Sequence, residues 1–126
     1  MVMIRYSKTS VLCWMNLLAF AAIIYFSSCI DGHIVAKFTK YNMDKVAHFI
    51  VYAIFTILVI RAVRLSFSKV GVLGASFIAA LIIIVFAALD ERHQILTPHR
   101  NCSLADFTAD FFGMSVVLMA FVYRDQ

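Results

Sequence analysis

Polar and ionisable residues are concentrated in residues 90–110 of a chain that is otherwise strongly apolar. This segment holds four carboxylates, two histidines, two arginines and a glutamine, whereas apolar residues make up 63% of the whole chain. A charged side chain at the centre of a membrane helix costs about 2.5–3.5 kcal/mol on insertion scales. Side chains of these types transfer protons or bind phosphates, so the segment is the first candidate for function.

Two groups of polar residues are spaced so that each would share one helical face, since steps of three and four residues bring side chains together. These groups are Asp44, His48 and Tyr52, and Ser103, Asp106, Asp110 and Gly113. Asp90, Glu91 and Gln94 would form a third polar group if the third helix continues past Leu89. Each group has a structural explanation: Ser103 and Asp106 fit a capping box, and Asp110 could simply pair with His48 or Arg100. Convergence of the three would favour a functional site.

The apolar runs that must position these groups are long enough to be membrane helices. They predict helices near 11–30, 46–63, 70–89 and 104–123. At about 1.5 Å per residue each crosses a hydrocarbon core of about 30 Å, the second with flanking residues. The sequence predicts an all-α membrane protein with one domain, 1–126, a small bundle of four transmembrane helices, short links and a short helix after the third span.

Basic residues at the helix ends predict the orientation, because cytoplasmic loops carry an excess of Lys and Arg. With the N-terminus inside, six of the eleven basic residues lie in the cytoplasm, which favours cytoplasmic placement of both termini. The links 31–45 and 90–103 emerge on the same side in either orientation. The three polar groups can therefore meet at that side.

Several kinds of site are not indicated by the sequence. The net charge of +4 comes without a basic face that carries interleaved aromatic residues, so no nucleic-acid partner is expected. The three cysteines lack Cys-x-x-Cys or metal-site spacing, and no metal or cofactor is predicted. Cys29 and Cys102 would both lie near the outer surface, as a disulfide or as free thiols.

Small residues predict close helix packing. Gly71, Ala75 and Ala79 recur in steps of four on the third helix, and Gly113 would admit a neighbour to the fourth. Such a stripe would suit a structural subunit of a membrane complex. The thin core of a four-helix bundle is also compatible with a homodimer.

Taken together, the polar motifs resemble the VanZ-like family of small bacterial integral membrane proteins. The motifs are Asp44-Lys45-x-x-His48-Phe49-x-x-Tyr52, then Asp90-Glu91-x-x-Gln94-x-x-x-Pro98-x-Arg100, then Ser103-x-x-Asp106-x-x-x-Asp110-x-x-Gly113. The chain departs from the family pattern at Asp110, where Asn is common, and at Leu96-Thr97, where an aromatic residue often precedes the proline. The carboxylate at Asp110 adds a negative charge that an amide would lack.

The resemblance implies a four-helix bacterial inner-membrane protein whose polar motifs face outward or into the outer leaflet. The family is named for a member associated with resistance to the lipid-tailed glycopeptide teicoplanin, and the resemblance implies no substrate. The ligand-binding residues it carries over are Asp44, His48, Tyr52, Asp90, Glu91, Gln94, Arg100, Asp106 and Asp110, with Gly113 as a packing position.

Two functions compete for the polar cluster, and we favour binding. Arg100, with Lys45 and His48, would meet a phosphate or carboxylate of a membrane lipid, a lipid-linked envelope precursor or a lipid-tailed glycopeptide, in envelope homeostasis or teicoplanin-type resistance. The alternative is a membrane enzyme in which His48 or a carboxylate is the general base and paired acids hold a divalent cation against a lipid phosphate. Binding is preferred because the sequence has no recognisable nucleophile motif or Gly-rich phosphate loop.

Overall fold

Four long helices form a bundle in the computed structural model, which describes residues 8–38, 43–100 and 103–125. In chain order, α1 spans Lys8–Ser28, α2 Gly32–Phe38, α3 Met43–Ser66, α4 Val72–Gln94 and α5 Leu104–Arg124. All except the short α2 are long and apolar enough to cross a membrane. The predicted bundle of four spans is confirmed, and the chain is a small multi-pass membrane protein.

α3 and α4 extend beyond the apolar runs that predicted them and include predicted site residues. α3 begins at Met43, so Asp44 lies in its first turn, where a negative charge suits the positive end of the helix dipole. α4 continues past Leu89 to Gln94. The short helix expected after the third span is absent from the described residues 95–99, which form turns before and around Pro98, because a proline disfavours helical geometry in the preceding residue. The short helix of this structure, α2, follows α1 instead.

α3 is the central helix of the bundle and contacts α1, α4 and α5. Its buried face follows steps of three and four along Tyr52, Phe55, Val59 and Val63, each at most 2% exposed. The outward faces of the other long helices carry large apolar side chains such as Phe77, which is 72% exposed. Such a surface is suited to lipid rather than to water.

The small residues of α4 are packed inside this bundle. Ala75 and Ala79 are fully buried, and the same row continues in steps of four to Glu91, which is also buried. The stripe expected to contact a partner subunit is therefore used within the chain, because neighbouring helices of the bundle cover it. The same row delivers the Glu91 carboxyl group into the protein interior.

The two glycines predicted to pack helices differ in their surroundings. A Cβ on Gly113 would collide with the backbone carbonyl of Phe49, so α5 crosses α3 at very short distance there. Gly71 precedes α4 and has no atom within 4 Å of the position of a Cβ. Within the described part of the chain, close helix contact along this stripe therefore begins one turn later, at Ala75, and the packing role of Gly71 stays a prediction.

Candidate ligand-binding site

A pocket of about 350 Å³ lies at the end of the bundle where α1 and α4 end and where α3 and α5 begin. Apolar side chains of Ile24, Val35 and Val51 form part of its wall. The predicted site residues that line it are Asp44, His48, Tyr52, Asp90, Gln94, Arg100 and Asp106. The other two, Glu91 and Asp110, lie next to His48. The structure thus brings the three polar groups together.

Lys45 joins the start of α3 to the start of α5. Its Nζ lies 3.0 Å from Asp44 Oδ2 and 3.2 Å from Asp106 Oδ1. Asp106 is buried, whereas about a third of the Asp44 and Lys45 side chains remains exposed. The positive charge of Lys45 is therefore compensated by two carboxylates of the protein itself.

His48 and Asp110 form a second link between α3 and α5, with 2.9 Å between His48 Nδ1 and Asp110 Oδ1. The close crossing of Gly113 over Phe49 explains this contact, because Phe49 is the neighbour of His48 and Gly113 lies one turn beyond Asp110. Asp110 is 1% exposed, and its Oδ2 has no hydrogen-bond partner among the described residues. The Tyr52 hydroxyl, one turn further along α3, is likewise buried and without such a partner.

The N-terminal cap of α5 includes a side chain of α4. The Ser103 hydroxyl accepts a hydrogen bond from the Asp106 backbone N–H at 3.3 Å, as the predicted capping box requires. The reciprocal bond is different, since the Ser103 backbone N–H donates to Glu91 Oε2 at 2.9 Å. Glu91 takes the place of Asp106 in the box, and the Asp106 carboxylate is thereby free to bind Lys45.

A chain of hydrogen bonds connects the end of α1 to the turn after α4. The Ser28 hydroxyl donates to Asp90 Oδ1 at 2.6 Å, and Gln94 Nε2 lies 3.3 Å from Asp90 Oδ2. The Gln94 Oε1 in turn accepts from Arg100 Nη1 at 3.4 Å. Asp90 and Gln94 are buried, so this polar chain replaces contacts with water.

Arg100 is held by oxygen atoms that carry no formal charge. Its Nε donates to the Ile30 carbonyl at 3.2 Å, and its Nη2 donates to the Ser27 carbonyl at 3.1 Å. Within the described part of the chain, no carboxylate forms an ion pair with it. The guanidinium is thus positioned at the pocket with its charge uncompensated by an acid.

A smaller cluster of polar residues surrounds Asp31 at the same end of the bundle. His99 Nδ1 lies 3.0 Å from Asp31 Oδ2, and the His33 backbone N–H donates to Asp31 Oδ1 at 2.8 Å. These bonds, the one from His99 first, hold the pKa of Asp31 below its ordinary value. His99 adopts a φ of 57°, and a Cβ on Gly32 would collide with the His99 carbonyl. The close contact fixes α2 against the turn.

Some polar residues of this site were not predicted from the sequence. Ser28 binds Asp90, the Ser27 carbonyl binds Arg100, and the Thr97 hydroxyl donates to the Ser28 carbonyl at 2.9 Å. The only signal for them was a pair of serines at the end of an apolar helix. The predicted alternatives for Cys29 and Cys102, a disulfide or free thiols, involve Cys102, which lies outside the described residues. The Cys29 thiol lies 3.2 Å from His93 Nε2.

The comparison with family models agrees with the resemblance drawn from the motifs. The model of the VanZ/LLP1 family matches residues 2–124, which is nearly the whole chain. No curated protein and no solved structure matches it.

Proposed function

The chain belongs to the VanZ/LLP1 family, and we propose that it binds the headgroup of a phosphate-bearing envelope lipid in the pocket beside Arg100. In this proposal the protein lies in the bacterial inner membrane with both termini in the cytoplasm. The pocket then opens at the outward-facing boundary of the bilayer. The bound lipid serves envelope homeostasis or resistance to lipid-tailed glycopeptides.

The observation that carries the proposal is the uncompensated charge of Arg100. Three of its nitrogens donate to neutral oxygens, and a guanidinium keeps further N–H donors for an added anion. The carboxylates that line the pocket already hold donors of the protein: Lys45 for Asp44 and Asp106, and Ser28 for Asp90. Arg100 is therefore the group of the pocket that favours an anionic ligand, and planar bidentate contacts with phosphate suit it.

Lys45 does not support phosphate binding in the way that the sequence predicted. Its Nζ is within 3.2 Å of two carboxylates, so an incoming phosphate would compete with two existing ion pairs. The apolar part of the wall, which includes Ile24 of α1 and Val35 of α2, favours a ligand that carries hydrocarbon next to its charge. A phospholipid combines both properties.

The test compares Arg100→Ala with Arg124→Ala, which removes the same side chain at the opposite end of the bundle. The probe is phosphatidic acid added to the detergent-solubilised full chain, with diacylglycerol of the same acyl chains as the phosphate-free control, and native mass spectrometry reports binding. A charge-assisted hydrogen bond contributes about 1.5–3 kcal/mol, so Arg100→Ala should weaken phosphatidic acid binding about ten- to a hundredfold. Arg124→Ala should leave it unchanged.

Equal effects of the two substitutions, or equal binding of the two lipids, would remove the case for a phosphate site at Arg100. A lipid-tailed glycopeptide is added in a second titration. Displacement of phosphatidic acid by the glycopeptide from the wild-type chain, but not from Arg100→Ala, would identify the antibiotic as a ligand of the same pocket.

A second candidate function, hydrolysis of a phosphate-bearing lipid, is favoured by one specific contact. His48 lines the pocket, and Asp110 Oδ1 lies 2.9 Å from its Nδ1, which is the arrangement that orients an imidazole as a general base. His48 would accept a proton from water as the water attacks phosphorus, and the departing alkoxide would take that proton. In this proposal phosphatidic acid is converted to diacylglycerol and inorganic phosphate by the wild-type chain and not by His48→Gln. Unchanged lipid after prolonged incubation would leave binding as the function.

A further inference from the structure

Three helices deliver one metal-ligating side chain each to the same point of the bundle interior. His48 comes from α3, Glu91 from α4 and Asp110 from α5, and one ligand atom of each lies within 4.8 Å of the others. We infer that these residues form a binding site for a divalent transition-metal cation. The inference does not depend on lipid binding, because it involves neither Arg100 nor the apolar wall of the pocket.

Each of the two carboxylates has one oxygen that contacts a partner and one oxygen that has none among the described residues. Glu91 Oε2 accepts the Ser103 backbone N–H, and Asp110 Oδ1 contacts His48. Glu91 Oε1 and Asp110 Oδ2 are buried and have no hydrogen-bond partner among the described residues. A buried oxygen without a partner is rare in folded proteins, and a cation would supply one ligand bond to each of these two.

The charges around the cluster also favour a cation. Glu91 and Asp110 are 3% and 1% exposed. In the described part of the chain, Lys45 is engaged by Asp44 and Asp106, and no lysine or arginine pairs with Glu91 or Asp110. Buried carboxylates are normally paired or bound to metal. A divalent ion would bring two positive charges to these two side chains.

The ligand types select the class of metal. One imidazole with two carboxylates suits Zn²⁺ or Mn²⁺, whereas Mg²⁺ and Ca²⁺ prefer oxygen ligands throughout. Ligand atoms on a tetrahedral ion with bonds of about 2.1 Å lie about 3.4 Å apart, so the three ligand atoms, which lie within 4.8 Å of one another, would move closer together when the ion binds. The Ser103 backbone N–H would remain as the outer partner that orients Glu91. Helix positions on all three sides restrict how far the ligands can move.

The experiment uses the tag-free full chain in detergent after treatment with a chelator. Equilibrium dialysis against Zn²⁺ or Mn²⁺, followed by elemental analysis, gives the amount of bound metal and its Kd. We expect one equivalent in the wild-type chain. Glu91→Gln and Asp110→Asn preserve the size of each side chain, and each should weaken binding at least tenfold while far-ultraviolet circular dichroism shows an intact helix content.

Three controls separate this site from the alternatives. Asp125→Asn lies at the other end of the bundle and should leave the Kd unchanged. His99→Ala tests the exposed cluster around Asp31, and loss of the bound equivalent in this variant, with retention in Glu91→Gln, would overturn the inference. Arg100→Ala should keep its metal, so failure of the lipid proposal and failure of the metal proposal give different results. Absence of stoichiometric metal at concentrations up to about 1 mM would also overturn it.

Discussion

His48 and Asp110 stand 62 positions apart in the chain, and yet their Nδ1 and Oδ1 atoms lie 2.9 Å apart in the bundle interior. The contact links the two helices with the largest shared interface, α3 and α5. Because Asp110 is almost fully buried, removal of its partner leaves a carboxyl group that water cannot reach. The packing of α3 against α5 and the proposed metal site therefore share this pair.

A double-mutant cycle on this pair should show strong coupling. His48→Leu alone should destabilise the protein by about 1–3 kcal/mol, because it leaves a buried acid without its partner. The same substitution in an Asp110→Leu background should cost less. Unfolding in detergent with chelator present measures the four proteins without a metal contribution, and additive effects would show that the contact adds no stability.

Gly113→Ala should destabilise the bundle, because the added Cβ meets the backbone carbonyl of Phe49. Overpacking of this kind costs about 1–3 kcal/mol, partly offset by the better helix propensity of alanine. Gly71→Ala is the matched control, since a Cβ there meets no atom within 4 Å, and its effect should stay within about 0.5 kcal/mol. Thermal unfolding in detergent checks both. Equal melting temperatures would contradict the close crossing of α5 over α3.

Ser28→Ala should be more damaging than the same change at the preceding serine. It removes the 2.6 Å hydrogen bond to Asp90 and leaves a buried carboxylate oxygen without that donor, at a cost of about 1–3 kcal/mol. The Ser27 hydroxyl donates to the Ile24 carbonyl within its own helix, and its contact with Arg100 uses the backbone. Ser27→Ala should therefore cost less than about 0.5 kcal/mol. Denaturant titration in detergent compares the two, and a larger loss for Ser27→Ala would contradict the assigned network.

The contacts of Asp31 with His99 and His33 should make the thermal stability of the protein depend on pH. Because the pKa of Asp31 is lower in the folded protein, its contribution is fully present above the unfolded-state pKa, near 4, and is lost as the pH falls through the folded-state value. The difference in melting temperature between the wild type and Asp31→Asn should therefore shrink on acidification below about pH 4. A difference that grew on acidification would have the wrong sign.

The helices were predictable because membrane spans are encoded locally. A run of about twenty apolar residues crosses the bilayer whatever its partners are. Because two spans lie between the links 31–45 and 90–103, both links were expected at the same end of the bundle. The motif spacing identified His48, Glu91 and Asp110 as members of the cluster. The end of α4 at Gln94, beyond its apolar run and before the turns around Pro98, was seen only in the structure.

The pairing of these side chains was decided by tertiary structure alone. Lys45 could equally have met a phosphate, and Asp106 could have completed its own capping box. A hydrogen bond depends on distances of about 3 Å, and those are set by how helices cross. Sequence alone therefore established a polar cluster at one end of four membrane helices. The close approach at Gly113 brings Asp110 to His48, and the buried row of α4 brings Glu91 to the Ser103 backbone N–H.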